Sequence, residues 1–293
     1  MRKGWKLCLL AIAVAAIGGC NQMGVQQQDE RTTYEAVRDQ FAAEPGYEFY
    51  GRTKLLSGNS ANGNVVNFSG RKDGEAVYMN VKLSEPELNR VRTISLLAQG
   101  SEKIFAKQEQ DTAWRSGQGQ EAALRQELNN WDPAYAFTQM DEMRQSISRV
   151  HNERTDDDVE AIQVVLDSAK LKQWLATQLA EQQGTQIQSM SANALRHRPS
   201  VKLAWALSTG GGAATERAGM SIQSANANLG ELIDRMEVEA AYTIYYRKST
   251  RLPTSITMSI RSSYDYNNQR IQEHSQVETY LQNYGRVKPV PNP

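Results

Sequence analysis

The 293-residue chain balances 33 Lys and Arg against 33 Asp and Glu, with 40% hydrophobic residues and modest Gly and Pro. That composition excludes a disordered chain and predicts a folded body of one large or two small domains. It also lacks the basic surface that a nucleic-acid binder needs.

The N-terminus opens with Arg2, Lys3 and Lys6, followed by an apolar run from Leu7 to Gly19. At about 13 residues the run is shorter than the roughly 20 needed to cross a bilayer core, but it suits the apolar region of a secretory signal. It ends in Ile17-Gly18-Gly19-Cys20. An aliphatic residue, a small residue, Gly or Ala, and then Cys resembles the lipobox of bacterial lipoproteins. The resemblance implies that residues 1–19 are a cleaved signal peptide and that Cys20 becomes a diacylglycerol-bearing N-terminus. Each buried methylene contributes about 0.8 kcal/mol, and two acyl chains anchor stably where one is marginal. The alternatives are a signal peptide cut elsewhere, or an uncleaved anchor.

With the signal gone, 30 of the 33 basic residues remain against all 33 acidic ones, a charge of −3. That is too little positive charge to hold anionic lipid by electrostatics. Cys8 leaves with the signal and Cys20 is the lipid site, so the body has no thiol for a disulfide, a metal or nucleophilic catalysis. No second segment is long and apolar enough to span a membrane. The expected location is the extracytoplasmic face of a bacterial cell membrane, with the membrane as partner through Cys20.

Residues 20–33, with Gln26-Gln27-Gln28, read as lipidated Cys and polar tether. A helix is expected over Thr32–Ala43, with Tyr34, Val37 and Phe41 as its apolar stripe, Thr32 or Thr33 as cap, and Pro45-Gly46 as its stop. The period then changes to two. Tyr47–Leu56, Val65–Arg71 and Glu75–Leu83 read as antiparallel strands, with a tight turn at Lys72-Asp73-Gly74. Glu87–Leu97 reads as a strand or a short helix, and Lys103–Gln108 leads towards Trp114 at a strand end. Helical spacing returns from Gln118 to about Ile147: Leu124, Leu128 and Trp131 form one stripe, Pro133 breaks it, and Phe137, Met140 and Met143 form a second. Ser146–Arg154 and Val159–Leu166 read as strands, and Ser168–Gln183 as a helix closed by Gly184. Residues 184–235 are polar, contain Gly210-Gly211-Gly212, and read as an insertion or lid. Val238–Arg247, Ser255–Ser262 and Arg270–Leu281 read as closing strands, and the end of the chain is expected to fray. This order predicts an α+β fold with an antiparallel sheet and helices on one side.

Several of these features together resemble the LolA/LppX-type lipoprotein family, including the LolA-like lipoproteins of Gram-positive bacteria. They are the lipobox, the N-terminal helix, Phe49-Tyr50-Gly51-Arg52-Thr53-Lys54-Leu55, the strand ending near Trp114, and the late pair joined by Thr250-Arg251-Leu252-Pro253. The resemblance runs over roughly 34–285, and the long polar stretch 184–235 departs from it. It implies one domain over 34–287, with 288–293 as a disordered tail. It further implies a curved antiparallel sheet, an unclosed half-barrel, with helices packed on its concave face. In the family that face binds acyl chains, lipids or lipoprotein tails, while other members hold a protein partner.

No catalytic or metal constellation stands out, and no cofactor is implied. His151, His197 and His274 lack ligand spacing, and Asp156-Asp157-Asp158 lacks the Gly and distal Glu of a calcium loop. Nucleophile-elbow, P-loop, dinucleotide and metalloprotease motifs are missing. Trp114, Trp131, Phe137, Met140 and Trp174 are the candidate site residues. Core packing is one reading of them, and lining for an apolar acyl-chain cavity between helices and sheet is the other. The expected function is non-enzymatic: a lipoprotein that binds a lipid or lipidated ligand, or one that engages an envelope protein partner.

Overall fold

The computed structural model describes residues 29–57, 65–85, 90–101, 103–119, 121–150, 156–177, 233–266 and 269–293. Ile17, Gly18, Gly19 and Cys20 lie outside the described residues, as do most of the 184–235 stretch and Gly184 itself.

Eleven strands form one open antiparallel sheet. They are β1 (Gly46–Ser57), β2 (Val65–Asp73), β3 (Ala76–Glu85), β4 (Arg90–Gln99), β5 (Lys103–Gln108), β6 (Arg115–Ser116), β7 (Arg144–Val150), β8 (Val159–Leu166), β9 (Glu237–Arg247), β10 (Pro253–Tyr266) and β11 (Gln269–Gln282). Their order is β6-β5-β4-β3-β2-β1-β11-β10-β9-β8-β7. Two meanders, β1–β6 and β7–β11, thus meet where the first strand pairs with the last, Phe49 opposite Leu281 and Thr53 opposite Val277. The ends of the sheet, β6 and β7, do not pair with each other.

Among the described residues, helices accompany the sheet as α1 over 29–43, α2 (Glu121–Asn129), α3 (Pro133–Met143) and α4 over 168–177, and residues 233–235 are helical as well. Tyr34, Val37 and Phe41 of α1, Leu124 and Leu128 of α2, Phe137 and Met140 of α3, and Leu171 and Leu175 of α4 all enter one core. They meet the strand faces carrying Tyr47, Phe49, Phe68, Met79, Val81, Leu96, Ile162, Val164 and Ile244. The described helices therefore cover one face, here the inner face, as an α+β architecture requires. Between β6 and β7 the chain crosses through α2, which packs on β4 and β5, and α3, which packs on β7 and β8.

Local chemistry explains the breaks. Gly74 takes a φ of 60° in the turn between β2 and β3, which glycine adopts without steric cost. Pro133 does more than break a helix: it starts α3 behind the N-cap Asp132, whose Oδ1 accepts from Ala134 N at 2.9 Å. Asp167 caps α4 in the same manner, accepting from Lys170 N at 2.9 Å. In the Thr250–Pro253 turn, the Thr250 hydroxyl accepts from Leu252 N at 3.3 Å while Arg251 takes a φ of 60°.

Two glycines let the first strands pack tightly. Gly51 lies opposite Phe68, and Gly70 opposite Phe49. A Cβ on Gly51 would stand 2.4 Å from the Phe68 ring, and one on Gly70 would stand 2.4 Å from the Phe49 ring. Each ring lies over the backbone of its partner glycine, a device that stabilises curved sheets.

Some boundaries differ from the sequence reading. Helix α1 is already formed at residue 29, inside the stretch expected to be tether. Asp29 and Glu30 hold it there, meeting Arg149 NH2 at 2.7 Å and Arg149 N at 3.3 Å. Thr33 is not a cap: its hydroxyl donates back to Asp29 O at 2.8 Å within the helix. The ambiguous Glu87–Leu97 stretch is strand from Arg90 onwards, and β10 runs on to Tyr266, past the expected Ser262.

Candidate functional site

The inner face is filled unevenly. Near the start of β1 it is closed by aromatic rings. Phe41 lies 4.7 Å from Tyr47 and 5.2 Å from Phe137, and Tyr47 lies 6.1 Å from Phe49, centroid to centroid. Polar tips at this end are paired. Tyr34 donates to Asp141 Oδ1 at 3.0 Å, and Arg38 reaches the same carboxylate at 3.2 Å. Tyr47 OH points to Asp132 Oδ1 at 3.4 Å. Burial pushes the Asp132 carboxyl above its ordinary value, opposed by the Ala134 amide.

The centre of the sheet differs. One inner row runs Val66, Thr53, Val277, Met258, Tyr242, Val164 across β2, β1, β11, β10, β9 and β8. Its flanks, Val66 and Tyr242, are buried, while Val277 and Met258 between them are half-buried. Further along the same two strands, Ile260 and Ser275 face each other, and both they and Ile271 are half-buried. Middle strands are ordinarily the most enclosed part of a helix-covered sheet. Here the middle carries the less enclosed apolar band.

Polar groups border that band. Thr53, Gln139, Ser262, Glu273 and Thr279 are buried. Ser262 sits opposite Glu273 in register. Gln139 of α3 accepts from Tyr242 OH at 2.7 Å through Oε1, leaving its Nε2 without a hydrogen-bond partner among the described residues. Thr53 Oγ1 and Trp131 Nε1 are buried and without a hydrogen-bond partner in the same sense.

The five expected site residues do not stay together. Trp131 stacks on Phe68 at 5.1 Å, Phe137 joins the aromatic end, and Met140 is fully buried in the same core. Trp174 packs half-buried against the same core. Trp114 lies on the opposite face, 6.2 Å from Tyr78. Tyr78 alternates with the inner-facing Val77 and Met79, so the strand period itself puts its ring, and Trp114 with it, outside. At 3%, 5% and 0% exposure, Trp131, Phe137 and Met140 are core side chains. The half-buried band on β10 and β11 was missed because Met258, Ile260, Ile271 and Val277 read as ordinary alternating strand residues.

The other candidates settle into the fold. Asp158 accepts from Ser249 N at 3.1 Å and from Ser249 Oγ at 2.9 Å, which holds its carboxyl below the ordinary value. His274 pairs with Ser259 Oγ at 2.9 Å, while His151 and His197 lie outside the described residues. Among the described residues, no group of three or more His, Cys, Asp or Glu is placed to hold a metal, and no helix is long and apolar enough to cross a membrane.

No family model matches the chain, and no curated protein matches it. Among solved structures it is similar to the lipoprotein LppX of Mycobacterium tuberculosis, at 7% identity and a TM-score of 0.38, covering 89% of this chain and 100% of that one. It is also similar to a LolA-superfamily protein of Nitrosomonas europaea, at 7% identity and a TM-score of 0.27, covering 89% and 94%. A DUF1329-family protein of Desulfovibrio piger matches at 8% identity and a TM-score of 0.28, covering 87% and 91%. The first two carry the names in the resemblance expected from the sequence.

Proposed function

We propose that this protein is a non-enzymatic lipoprotein, anchored at the extracytoplasmic face of a bacterial membrane through Cys20, that binds a lipid or lipidated ligand between its sheet and its helices. The observation that carries the reading is the half-buried apolar band of Met258, Ile260, Ile271 and Val277 at the centre of the inner face. An acyl chain laid along this band would gain about 25 cal/mol for each Å² of apolar surface removed from water. The lipobox at Ile17-Gly18-Gly19-Cys20 supports the anchor.

The ligand half is tested by native mass spectrometry of the protein purified from a lipid-rich host. A retained adduct of lipid mass is expected. A bare mass, with no uptake of added lipid, would refute lipid binding and leave an envelope protein partner as the reading. The anchor half is tested by metabolic labelling with palmitate. Label is expected on the intact chain and none on Cys20→Ala; equal labelling of the two would refute lipidation at Cys20.

A further inference from the structure

We propose that Tyr50 and Tyr280 form a site of oxidative cross-linking, at which a peroxidase-type oxidant joins the two rings by a carbon–carbon bond and fastens the first strand of the sheet to the last. The inference concerns the outer face and does not depend on the lipid-binding reading.

Tyr50 of β1 stands opposite Tyr280 of β11. Their rings stack at 5.3 Å, centroid to centroid, with planes 19° apart. They alternate with the buried, inner-facing Phe49 and Leu281, so both point outward, and they are 46% and 41% exposed. Their other neighbours in the same outer row are small: Ser69 on β2 beside Tyr50, and Ser255 on β10 beside Tyr280. The two rings therefore rest on each other with water around them. Rotation about their side-chain torsions is enough to bring the ring edges into bonding contact.

A second tyrosine pair shows what this one has that others lack. Tyr47 and Tyr284 lie 6.2 Å apart at 50°. Tyr47 is fully buried, and Tyr284 donates to Pro253 O at 2.6 Å. Burial pushes both phenols well above their ordinary pKa. Oxidising a phenol removes a proton along with the electron, and that proton leaves readily only into water. The exposed pair is open to the reaction and the buried pair is shielded from it.

In the reaction each phenol gives up one electron and one proton and becomes a phenoxyl radical. The radicals join through one Cε of each ring. The hydrogens on those two carbons then move to the oxygens, which become phenols again. The pair loses two electrons and two protons in total, and one hydrogen peroxide takes them up to give two waters.

The position of the pair gives the bond its consequence. The β1–β11 ladder is the seam where the two meanders meet. No cysteine follows Cys20, so a disulfide within the body cannot fasten that seam. A Tyr50–Tyr280 bond closes a loop over most of the chain and removes entropy from the unfolded state.

The test treats the full chain, dilute, with a haem peroxidase and hydrogen peroxide, and isolates the monomer. The monomer is expected to be lighter by two hydrogens, to show dityrosine fluorescence, and to yield a peptide joining Tyr50 to Tyr280. Tyr50→Phe and Tyr280→Phe keep the ring but remove the phenol, and each should lose most of that fluorescence. Tyr245→Phe, in the same outer row beyond Ser255, should keep it. Cross-linked monomer should melt roughly 10 °C above untreated protein, and treated Tyr50→Phe should show no such rise. Monomer dityrosine that survives Tyr50→Phe, that maps to other tyrosines, or that is missing because the product is all dimer would overturn the site. An unchanged Tm in the cross-linked monomer would overturn the fastening of the seam.

Discussion

Where β1 begins, the inner face is closed by Phe41, Tyr47, Phe49 and Phe137, ring against ring, with every one of them at most 5% exposed. On the next two strands of the ladder, β11 and β10, Met258, Ile260, Ile271 and Val277 face the same side and stay half-buried. The aromatic end pairs Tyr34 with Asp141 and aims Tyr47 at Asp132, while Thr53 in the central row and Gln139 on its Tyr242 each keep a side-chain donor without a partner among the described residues. One end is built to hold the helices to the sheet. The other is an apolar band with few polar groups at its border, the lining on which the lipid-binding proposal rests.

That difference predicts a graded response to mutation. Phe137→Ala should be the most damaging change, costing about 3–5 kcal/mol in chemical denaturation, as for other buried aromatic truncations. Gly70→Val should cost about 1–3 kcal/mol, because the added side chain drives into the Phe49 ring and the Tyr78 carbonyl. Met258→Ala should cost less than Phe137→Ala in lipid-free protein, and its cost should grow when lipid is bound. Equal costs for Phe137→Ala and Met258→Ala in lipid-free protein would erase the distinction between the two regions.

Electrostatic changes should be smaller. Burial raises the Asp132 pKa above its unfolded value, so the folded protein holds that proton more tightly and the ionised form weakens the fold above the raised pKa. Asp132→Asn keeps an acceptor for Ala134 N and should match or exceed the wild type at neutral pH. The gap should close as the pH falls through the carboxylate range, followed by Tm against pH. Asp132→Ala removes the cap and should lose about 1 kcal/mol. Smallest of all, Arg52→Ala breaks an exposed ion pair with Glu278 at 2.6 Å and should change stability by no more than about 1 kcal/mol.

The sheet was legible in the sequence because its strands alternate cleanly. Val77, Met79 and Val81 against Tyr78, Asn80 and Lys82 gave both the strand and its inner face. The helices were legible from Tyr34, Val37 and Phe41, and from the Leu124, Leu128 and Trp131 stripe. What the pattern did not carry was which inner-facing residues the helices would cover. Trp114 has the chemistry of a cavity residue but sits beyond an outer-facing tyrosine. Val277 and Met258 look like core in sequence and are half-buried, because that depends on where α1, α3 and α4 lie across the sheet. Thr53, Ser262, Glu273 and Thr279 are buried polar groups at inner-facing positions that alternation alone did not mark.

The most direct measurement is crosslinking with a diazirine-bearing acyl lipid, followed by peptide mapping of the labelled protein. Label on the β10–β11 segment between Met258 and Val277, with little on Phe137 or Tyr47, is the predicted result. Label confined to outer-face residues such as Tyr50 and Tyr280, or no label above that of heat-unfolded protein, would contradict lipid binding on the inner face.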